Sequence, residues 1–257
     1  MNPVERIGYK FRQDLTIPCY QTDAAQFLKP AGFMDMAQEI AYWAAQELGF
    51  GYDDLQRHQT AWVLSRFHFT FQRRPRWRDT VRLYTWHKGF NGLFFLRDFE
   101  LRDKNEDILV SGTSSWLVID INTRKMVRPE DLKQLFQPDG PVDDAIAEPA
   151  PKLLFPKDAE ATDAAPHTVS YSDIDILGHT NNVRYLVWAM DAIDYDPACP
   201  PDVKEVFINF NRETRPGETV NLRRAVAKPG PDNVKEITVE GSVEGKQAFM
   251  ARLLINE

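Results

Sequence analysis

Hydrophobic positions recur along this chain with two different periods, which predict two helices and several strands. Residues 32–48 are strongly apolar, which predicts a long helix with sheet on most of its sides. A second, amphipathic helix is predicted to begin near residue 181, because apolar residues recur there at helical spacing and Asn181 or Asn182 supplies an N-cap. The apolar residues of this second helix are Val183, Leu186, Val187 and Met190.

Segments rich in aromatic and β-branched residues predict the strands. In each half of the chain the first such strand has alternating apolar residues, beginning at Phe67 and at Val206. The later strands are predicted at 81–87, 93–103 and 108–120, and then at 220–227, 233–243 and 247–255. One helix followed by antiparallel strands, repeated twice, predicts an α+β protein in which each sheet wraps around its own long central helix.

The two halves also resemble each other in sequence, which predicts two similar units. Residues 22–38 align without a gap with residues 172–188. The matched pairs are Asp23 with Asp173, Ala25 with Asp175, and Lys29 with His179. Pro, Ala and acidic residues dominate 137–166, which predicts a linker between an N-terminal unit, 1–136, and a C-terminal unit, 167–257. The N-terminal unit is then expected to lack the polar residues of the second copy.

Composition narrows the functional classes. The chain has 257 residues, of which 43% are hydrophobic, so it can bury sizeable cores. Its net charge of −7 argues against general nucleic-acid binding. The two cysteines, Cys19 and Cys199, offer no metal-ligand spacing, so we expect no metal and no cofactor. The first 15 residues lack targeting features and no window approaches a membrane span, so we expect a cytoplasmic protein without membrane insertion.

The densest group of reactive side chains lies in the segment YSDIDILGHTNNVRYLVW, residues 171–188. Asp173, Asp175 and His179 come just before the predicted helix. The first turn of a helix has unpaired N–H groups and the positive end of the dipole, which stabilise negative charge on a bound carbonyl oxygen. The segment therefore indicates a hydrolytic site. The alternative is that the Asp and Asn residues only form a turn and cap the helix, Asp173 above all.

The same segment resembles the motif DxNxHxNNxxY of the acyl-ACP thioesterases, tandem hot-dog enzymes that hydrolyse fatty acyl thioesters on acyl carrier protein (ACP). The residues that match this motif are Asp175, His179, Asn181, Asn182 and Tyr185. The resemblance runs from about Tyr9 to the C-terminus and includes WVLSRFHF at 62–69, RDFEL at 97–101 and TSSWLVIDINTRKMVR at 113–128. Leu177 departs from it, because the family has its catalytic Asn at that position.

The resemblance also implies catalytic importance for Glu213, in the segment NRET. Thr214 stands where the family segment has a Cys, so a cysteine nucleophile is excluded at that position. Thioester hydrolysis needs an activated water and stabilisation of an oxyanion. We expect either Glu213, or the pair of Asp175 and His179, to polarise the water. The residues expected to receive the oxyanion or to position the substrate are Gly178, Asn181 and Asn182.

A carrier protein with an acidic helix would need a basic docking surface. The candidates for docking are Arg73, Arg74, Arg76, Arg78, Arg223 and Arg224. The alternative is that these arginines form only a solvated surface of strands and turns. Two hot-dog units in one chain mimic the usual hot-dog dimer, so a monomer is feasible and a homodimer stays open.

Two other functions fit the sequence. The first is hydrolysis of acyl-CoA, since single hot-dog CoA thioesterases share the acidic residue and the helix start. The second is binding of acyl thioesters without catalysis, for which Leu177 is the best argument, because a Leu cannot position a water or a carbonyl group. Asn181 or Asn182 could instead take over the role of the missing amide.

Overall fold

The computed structural model describes residues 3–128, 141–157, 159–196, 198–227 and 234–256. The chain divides into two compact units, the first comprising residues 1–22 and 26–150, and the second residues 23–25 and 151–257. Each unit combines an antiparallel sheet with a helix, so the predicted α+β hot-dog class is confirmed.

The sheet of the first unit has seven strands in its described part. They are β1 (Glu5–Ile7), β2 (Lys10–Thr16), β3 (Thr60–Phe71), β4 (Thr80–Asn91), β5 (Phe94–Arg102), β6 (Ile108–Asp120) and β7 (Met126–Val127). All neighbours are antiparallel, in the order β1-β2-β4-β5-β6-β3, and β7 pairs with β6. The unit also contains the helices α1 (Pro30–Glu47) and α2 (Tyr52–Arg57). The predicted strands 81–87, 93–103 and 108–120 therefore lie at β4, β5 and β6.

Helix α1 is buried on most of its sides, as its apolar sequence predicts. The ring of Phe33 lies 5.0 Å from that of Phe69 and 6.3 Å from those of Phe67 and Phe71. These three strand residues alternate along β3, so their side chains reach the same face of the sheet. In the described ranges, no helix is long and apolar enough to span a bilayer.

The second unit has five described strands and one α-helix. They are β8 (Ala161–Thr168), α3 (Asn182–Asp191), β9 (Asp202–Phe210), β10 (Thr219–Val226), β11 (Val234–Val243) and β12 (Lys246–Asn256). The strand order is β9-β12-β11-β10-β8, again antiparallel. Helix α3 buries Tyr185, whose ring lies 5.4 Å from that of Phe249 in β12. With 10 residues, α3 is shorter than the long central helix expected from the sequence.

The predicted linker, 137–166, is wrong at its C-terminal end, where β8 begins at Ala161. Residues 141–150 belong to the first unit and 151–166 to the second, while 137–140 and 158 lie outside the described residues. Most side chains of β8 are exposed, so they show no apolar alternation. The strand forms by backbone pairing with β10 at the edge of the sheet, where Pro166 is tolerated at a register shift.

The gapless alignment of the two halves is wrong by two residues. Lys29 N–H donates to the Gln21 carbonyl (2.9 Å), and Asn181 N–H donates to the Asp173 carbonyl in the same way (2.8 Å). In this register Asp23 corresponds to Asp175 rather than to Asp173. His179 therefore corresponds to Phe27 and not to Lys29. Identical and similar residue types favoured the wrong alignment, whereas backbone hydrogen bonds define which positions are equivalent in the structure.

Candidate active site

The chain enters the site through a short 3₁₀ turn, Tyr171–Asp173, which is fixed by the Asp173 carboxylate. That carboxylate accepts hydrogen bonds from Ser170 N–H (2.8 Å), Ser170 Oγ (3.1 Å) and His167 Nε2 (2.9 Å). Burial alone would raise the pKa of Asp173, but the bonds from His167 and Ser170 outweigh it and lower the pKa below its ordinary value. Asp173 is therefore a capping residue. His167, which was not predicted from the sequence, also stacks on Trp188.

The next segment is a tight loop from Asp175 to His179. The Asp175 side chain accepts Leu177 N–H (2.9 Å), and its backbone carbonyl accepts Gly178 N–H (3.0 Å). Asp175 N–H closes the loop by donating to the His179 carbonyl (3.0 Å). Gly178 has a φ of 75°, a conformation that glycine adopts without strain. The loop leaves the side chain of Leu177 exposed and the ring of His179 half-buried.

Helix α3 begins with the predicted cap, because Asn181 Oδ1 accepts Val183 N–H at 2.9 Å. Two of the expected oxyanion donors are already used: Gly178 N–H bonds to Asp175 and Asn181 N–H bonds to Asp173. Their backbone N–H groups therefore cannot serve in the predicted way without breaking the loop. Within the described ranges, the N–H groups of His179 and Asn182 have no hydrogen-bond acceptor in the protein.

The structure brings together two of the predicted catalytic side chains. His179 Nε2 lies 3.5 Å from Glu213 Oε2, and the side chains are 27% and 41% exposed, so water can reach both. Glu213 follows β9 at a bulge, where Asn211 N–H and Arg212 N–H both donate to the Ala248 carbonyl. The Asp175 carboxylate is instead engaged by the Leu177 N–H. The geometry favours the pair of His179 and Glu213 over the pair of Asp175 and His179.

Behind this pair lies a group of buried hydroxyls that was not predicted from the sequence. Thr180 and Thr214 are the residues that directly follow His179 and Glu213, and their Oγ1 atoms are 2.7 Å apart. The hydroxyl of Tyr185 lies 3.0 Å from Thr214 Oγ1. The only signals in the sequence were Tyr185 in the motif and Thr214 at the position of the family's Cys.

The first unit carries different residues at the positions of the His–Glu pair. Gln72 N–H and Arg73 N–H both donate to the Leu109 carbonyl, as Asn211 and Arg212 do to that of Ala248, so Arg74 corresponds to Glu213. The guanidinium of Arg74 lies 5.1 Å from the ring centre of Phe27, and that of Arg76 lies 4.5 Å from it. This turn therefore has positive charge where the second unit has an acid.

The six arginines predicted to dock a carrier protein differ in their surroundings. Arg223 is paired with Glu240, Arg224 with Asp194, and Arg73 with Asp103 at 2.6 Å. Arg74 donates to the Leu28 carbonyl at 3.2 Å. Arg76 and Arg78 are exposed and, among the described residues, have no acidic side chain within ion-pair distance. Arg78 instead stacks on Trp77, its guanidinium 4.0 Å from the ring centre.

Two protein-family models match most of the chain. The acyl-ACP thioesterase N-terminal domain matches residues 8–135, and the acyl-ACP thioesterase C-terminal domain matches residues 156–249. The second match contains the loop, the helix start and Glu213.

Individual proteins of known name are similar over the same range. The chain is 21% identical over 235 residues to the chloroplastic oleoyl-acyl carrier protein thioesterase of Coriandrum sativum, covering 83% of this chain and 62% of that protein. It is 26% identical over 249 residues to the chloroplastic palmitoyl-acyl carrier protein thioesterase of Arabidopsis thaliana, covering 92% and 59%. The chain thus spans about three fifths of the length of these relatives.

Solved structures of the same kind share the fold. A 12:0-ACP thioesterase from Umbellularia californica superposes with a TM-score of 0.82 at 20% identity, covering 97% of this chain and 94% of the other. An acyl-ACP thioesterase from Bacteroides thetaiotaomicron superposes with a TM-score of 0.76 at 22% identity, covering 96% and 98%.

Proposed function

Because this chain belongs to the acyl-ACP thioesterase family, we propose that it hydrolyses fatty acyl thioesters on ACP to a free fatty acid and holo-ACP. The observation that carries this proposal is the contact of 3.5 Å between His179 and Glu213, next to the start of α3. Both side chains are partly exposed, and both residues were predicted from the sequence as catalytic candidates. Names of the plant relatives support the same reaction class.

The proposed reaction needs one base and one site for negative charge. The Glu213 carboxylate accepts a proton from a water molecule while the water oxygen attacks the thioester carbonyl carbon. The negative charge then developing on the carbonyl oxygen is received by N–H groups at the helix start, for which those of His179 and Asn182 are available. The C–S bond breaks as the carbonyl re-forms. His179 can pass the proton on to the departing sulfur, although a thiol with a pKa of about 8.5 needs little help to leave.

Asn182 is the best candidate to replace the amide that Leu177 lacks. The side-chain oxygen of Asn181 is used as the helix cap, so that residue is less able to turn toward a substrate. Asn182 is half-buried in the first turn of α3, and within the described part of the chain its side chain makes no hydrogen bond. Its amide is therefore able to orient the water or the substrate carbonyl.

The test is steady-state hydrolysis of a panel of acyl-ACPs by the wild-type protein and by His179→Ala and Glu213→Gln. We expect turnover that falls by about 10²-fold or more in both variants, as is typical for loss of a catalytic acid or base. His58→Ala is a matched control, because His58 is an exposed histidine that directly follows α2 in the first unit and was not predicted to be catalytic. Full activity of Glu213→Gln would contradict the assignment of the base.

Two other functions are outcomes of the same measurement. Faster turnover of acyl-CoA than of acyl-ACP would favour an acyl-CoA thioesterase. Tight binding of acyl-ACP without turnover would favour a non-catalytic binding protein, for which the exposed Leu177 in the motif is the supporting observation.

A basic turn, residues 73–78, is the proposed docking surface for ACP. Arg76 and Arg78 support this proposal, since they are exposed and no acidic partner within the described residues holds them. Arg223 and Arg224 are weaker candidates because both are ion-paired within the second unit. A cytoplasmic location and a homodimer stay predictions, and the plant relatives are chloroplastic by name.

A further inference from the structure

A chain of three buried hydroxyls lies directly behind the candidate catalytic pair. Thr214 is 0%, Tyr185 3% and Thr180 5% exposed. Thr214 Oγ1 lies 2.7 Å from Thr180 Oγ1 and 3.0 Å from the Tyr185 hydroxyl. Two backbone N–H groups add further hydrogen bonds: Thr214 N–H donates to the Tyr185 hydroxyl oxygen at 2.9 Å, and Thr180 N–H donates to the Thr214 carbonyl at 3.1 Å. These hydrogen bonds connect the start of α3 with the segment that follows β9.

The direction of each hydrogen bond follows from counting hydrogens. A hydroxyl has one hydrogen to donate, and that of Thr180 goes to the Thr214 carbonyl at 3.1 Å. Thr214 must therefore be the donor in its bond to Thr180, and Tyr185 must be the donor in its bond to Thr214. Burial raises the pKa of Tyr185, which keeps its hydroxyl protonated and able to donate. All three hydrogens are used, and the side chain of Thr214 has none left for reaction with a substrate.

The first unit shows that the fold itself does not need these hydroxyls. Leu28 N–H donates to the Pro75 carbonyl at 2.8 Å, which is the bond made by Thr180 and Thr214 in the second unit. Phe33 stands at the position of Tyr185 in the same register. All three of these residues are buried and apolar. At these described positions the first unit, which lacks the His–Glu pair, also lacks the three hydroxyls, although its backbone is connected in the same way.

We propose that Thr214, Thr180 and Tyr185 are positioning residues that hold His179 and Glu213 at their working distance. The reason is covalent: Thr180 and Thr214 are joined by peptide bonds to His179 and Glu213, so fixing the two threonines fixes the start of both reactive side chains. A displacement of the catalytic groups by as little as 1 Å can cost a large part of the rate. This inference rests on the proposed function, because it takes the His–Glu pair to be catalytic.

The first experiment compares Thr214→Val, which removes the hydroxyl and keeps the shape, with Thr214→Ser, which keeps the hydroxyl. We expect Thr214→Val and Tyr185→Phe to lower kcat for acyl-ACP by about 10-fold or more with little change in KM. Thr214→Ser should keep most of the wild-type kcat. Thr238→Val is the matched control, because Thr238 is a buried threonine of β11 outside the hydroxyl chain.

The second experiment places Thr214→Val in a Glu213→Gln background and measures the residual rate under single-turnover conditions. If the hydroxyl acts through Glu213, the second substitution will lower the rate much less than it does in the wild-type protein. An equal loss in both backgrounds, or an unchanged kcat in Thr214→Val and Tyr185→Phe, would overturn the inference even if the melting temperature falls. If Thr214→Val fails to fold, Tyr185→Phe and Thr180→Val carry the same comparison.

Failure of the proposed function would look different. An inactive wild-type protein, or a fully active Glu213→Gln variant, would contradict the assignment of the catalytic pair itself. An inactive Glu213→Gln variant beside a fully active Thr214→Val variant would contradict only the positioning role.

Discussion

The partly buried ring of His87 in β4 makes the first unit sensitive to acid. Burial, reinforced by the positive charge of Arg97, lowers the pKa of His87 from 6.5 to about 3. Its Nδ1 accepts Gly89 N–H at 2.8 Å, which a neutral ring can do and a protonated Nδ1 cannot. The ring also packs edge-on against Phe90. The folded protein therefore favours the neutral form of this histidine over the protonated form.

The sign and size of the effect follow from linkage. A histidine whose pKa is lower in the folded state than in the unfolded state is neutral in both above pH 6.5, and there it costs no stability. As the pH falls below 6.5, the unfolded chain takes up a proton that the folded protein refuses until about pH 3. pH 5 lies about 1.5 units below the pKa of the histidine in the unfolded chain, and each unit is equivalent to about 1.4 kcal/mol. Protonation of the unfolded chain therefore lowers the free energy of unfolding by about 2 kcal/mol at pH 5.

Urea unfolding at pH 8, 7, 6 and 5 measures this loss. His87→Asn does not titrate and keeps a side-chain oxygen as an acceptor for Gly89, so its stability should fall less than that of the wild-type protein between pH 7 and 5. Between pH 7 and pH 5, the wild-type protein should lose about 2 kcal/mol more unfolding free energy than His87→Asn. His58→Asn is the control, because His58 is exposed and should leave the wild-type pH dependence intact. Parallel curves for wild type and His87→Asn would refute the reasoning.

Two further predictions concern the substrate. Arg76→Glu combined with Arg78→Glu should raise KM for acyl-ACP severalfold and leave hydrolysis of a small thioester unchanged, whereas Lys204→Glu, a reversal of another exposed cation, should change neither. Equal losses on both substrates would count against docking at the basic turn. Asn182→Ala should lower kcat by about 10²-fold, and adding Leu177→Asn should restore part of the rate. An undiminished rate in Asn182→Ala would show that its amide takes no part.

The strands were predictable because their apolar residues alternate or run continuously, as in β6 and β12. Strands at the sheet edges were not, since β1 and β8 expose most of their side chains and are held by backbone pairing that leaves no periodic signal. The gapless alignment of the two halves failed for a related reason. It matched similar residue types that lie two positions away from the structurally equivalent ones, and the backbone hydrogen bonds that define equivalence are visible only in the structure.

The candidate site was predictable to the extent that it lies in one segment. Asp175 and His179 were found from their position before a helix, and Glu213 came from the family resemblance. The contact between His179 and Glu213, and the hydroxyl chain behind it, join residues more than 25 positions apart in sequence. Such contacts depend on how β9 and the start of α3 meet, which no local pattern records.

The role of Asp175 can be separated from that of the candidate catalytic pair by comparing two matching turns of the chain, 23–27 and 175–179. Asp23 accepts Ala25 N–H at 3.0 Å in the same turn that Asp175 forms with Leu177, although Phe27 stands where His179 would be. The turn is therefore a feature of the fold, and a loss of activity in Asp175→Ala alone would not identify a base.

Asp175→Asn resolves the question, because Asn keeps the side-chain oxygen that accepts Leu177 N–H and removes the negative charge. We expect Asp175→Asn to keep most of the wild-type kcat and Asp175→Ala to lose more, since only the second opens the loop that carries His179. The measurement is kcat for acyl-ACP, with the melting temperature of each variant recorded beside it. If Asp175→Asn were as inactive as Glu213→Gln, the charge itself would be needed, and the pair of Asp175 and His179 would return as the group that activates water.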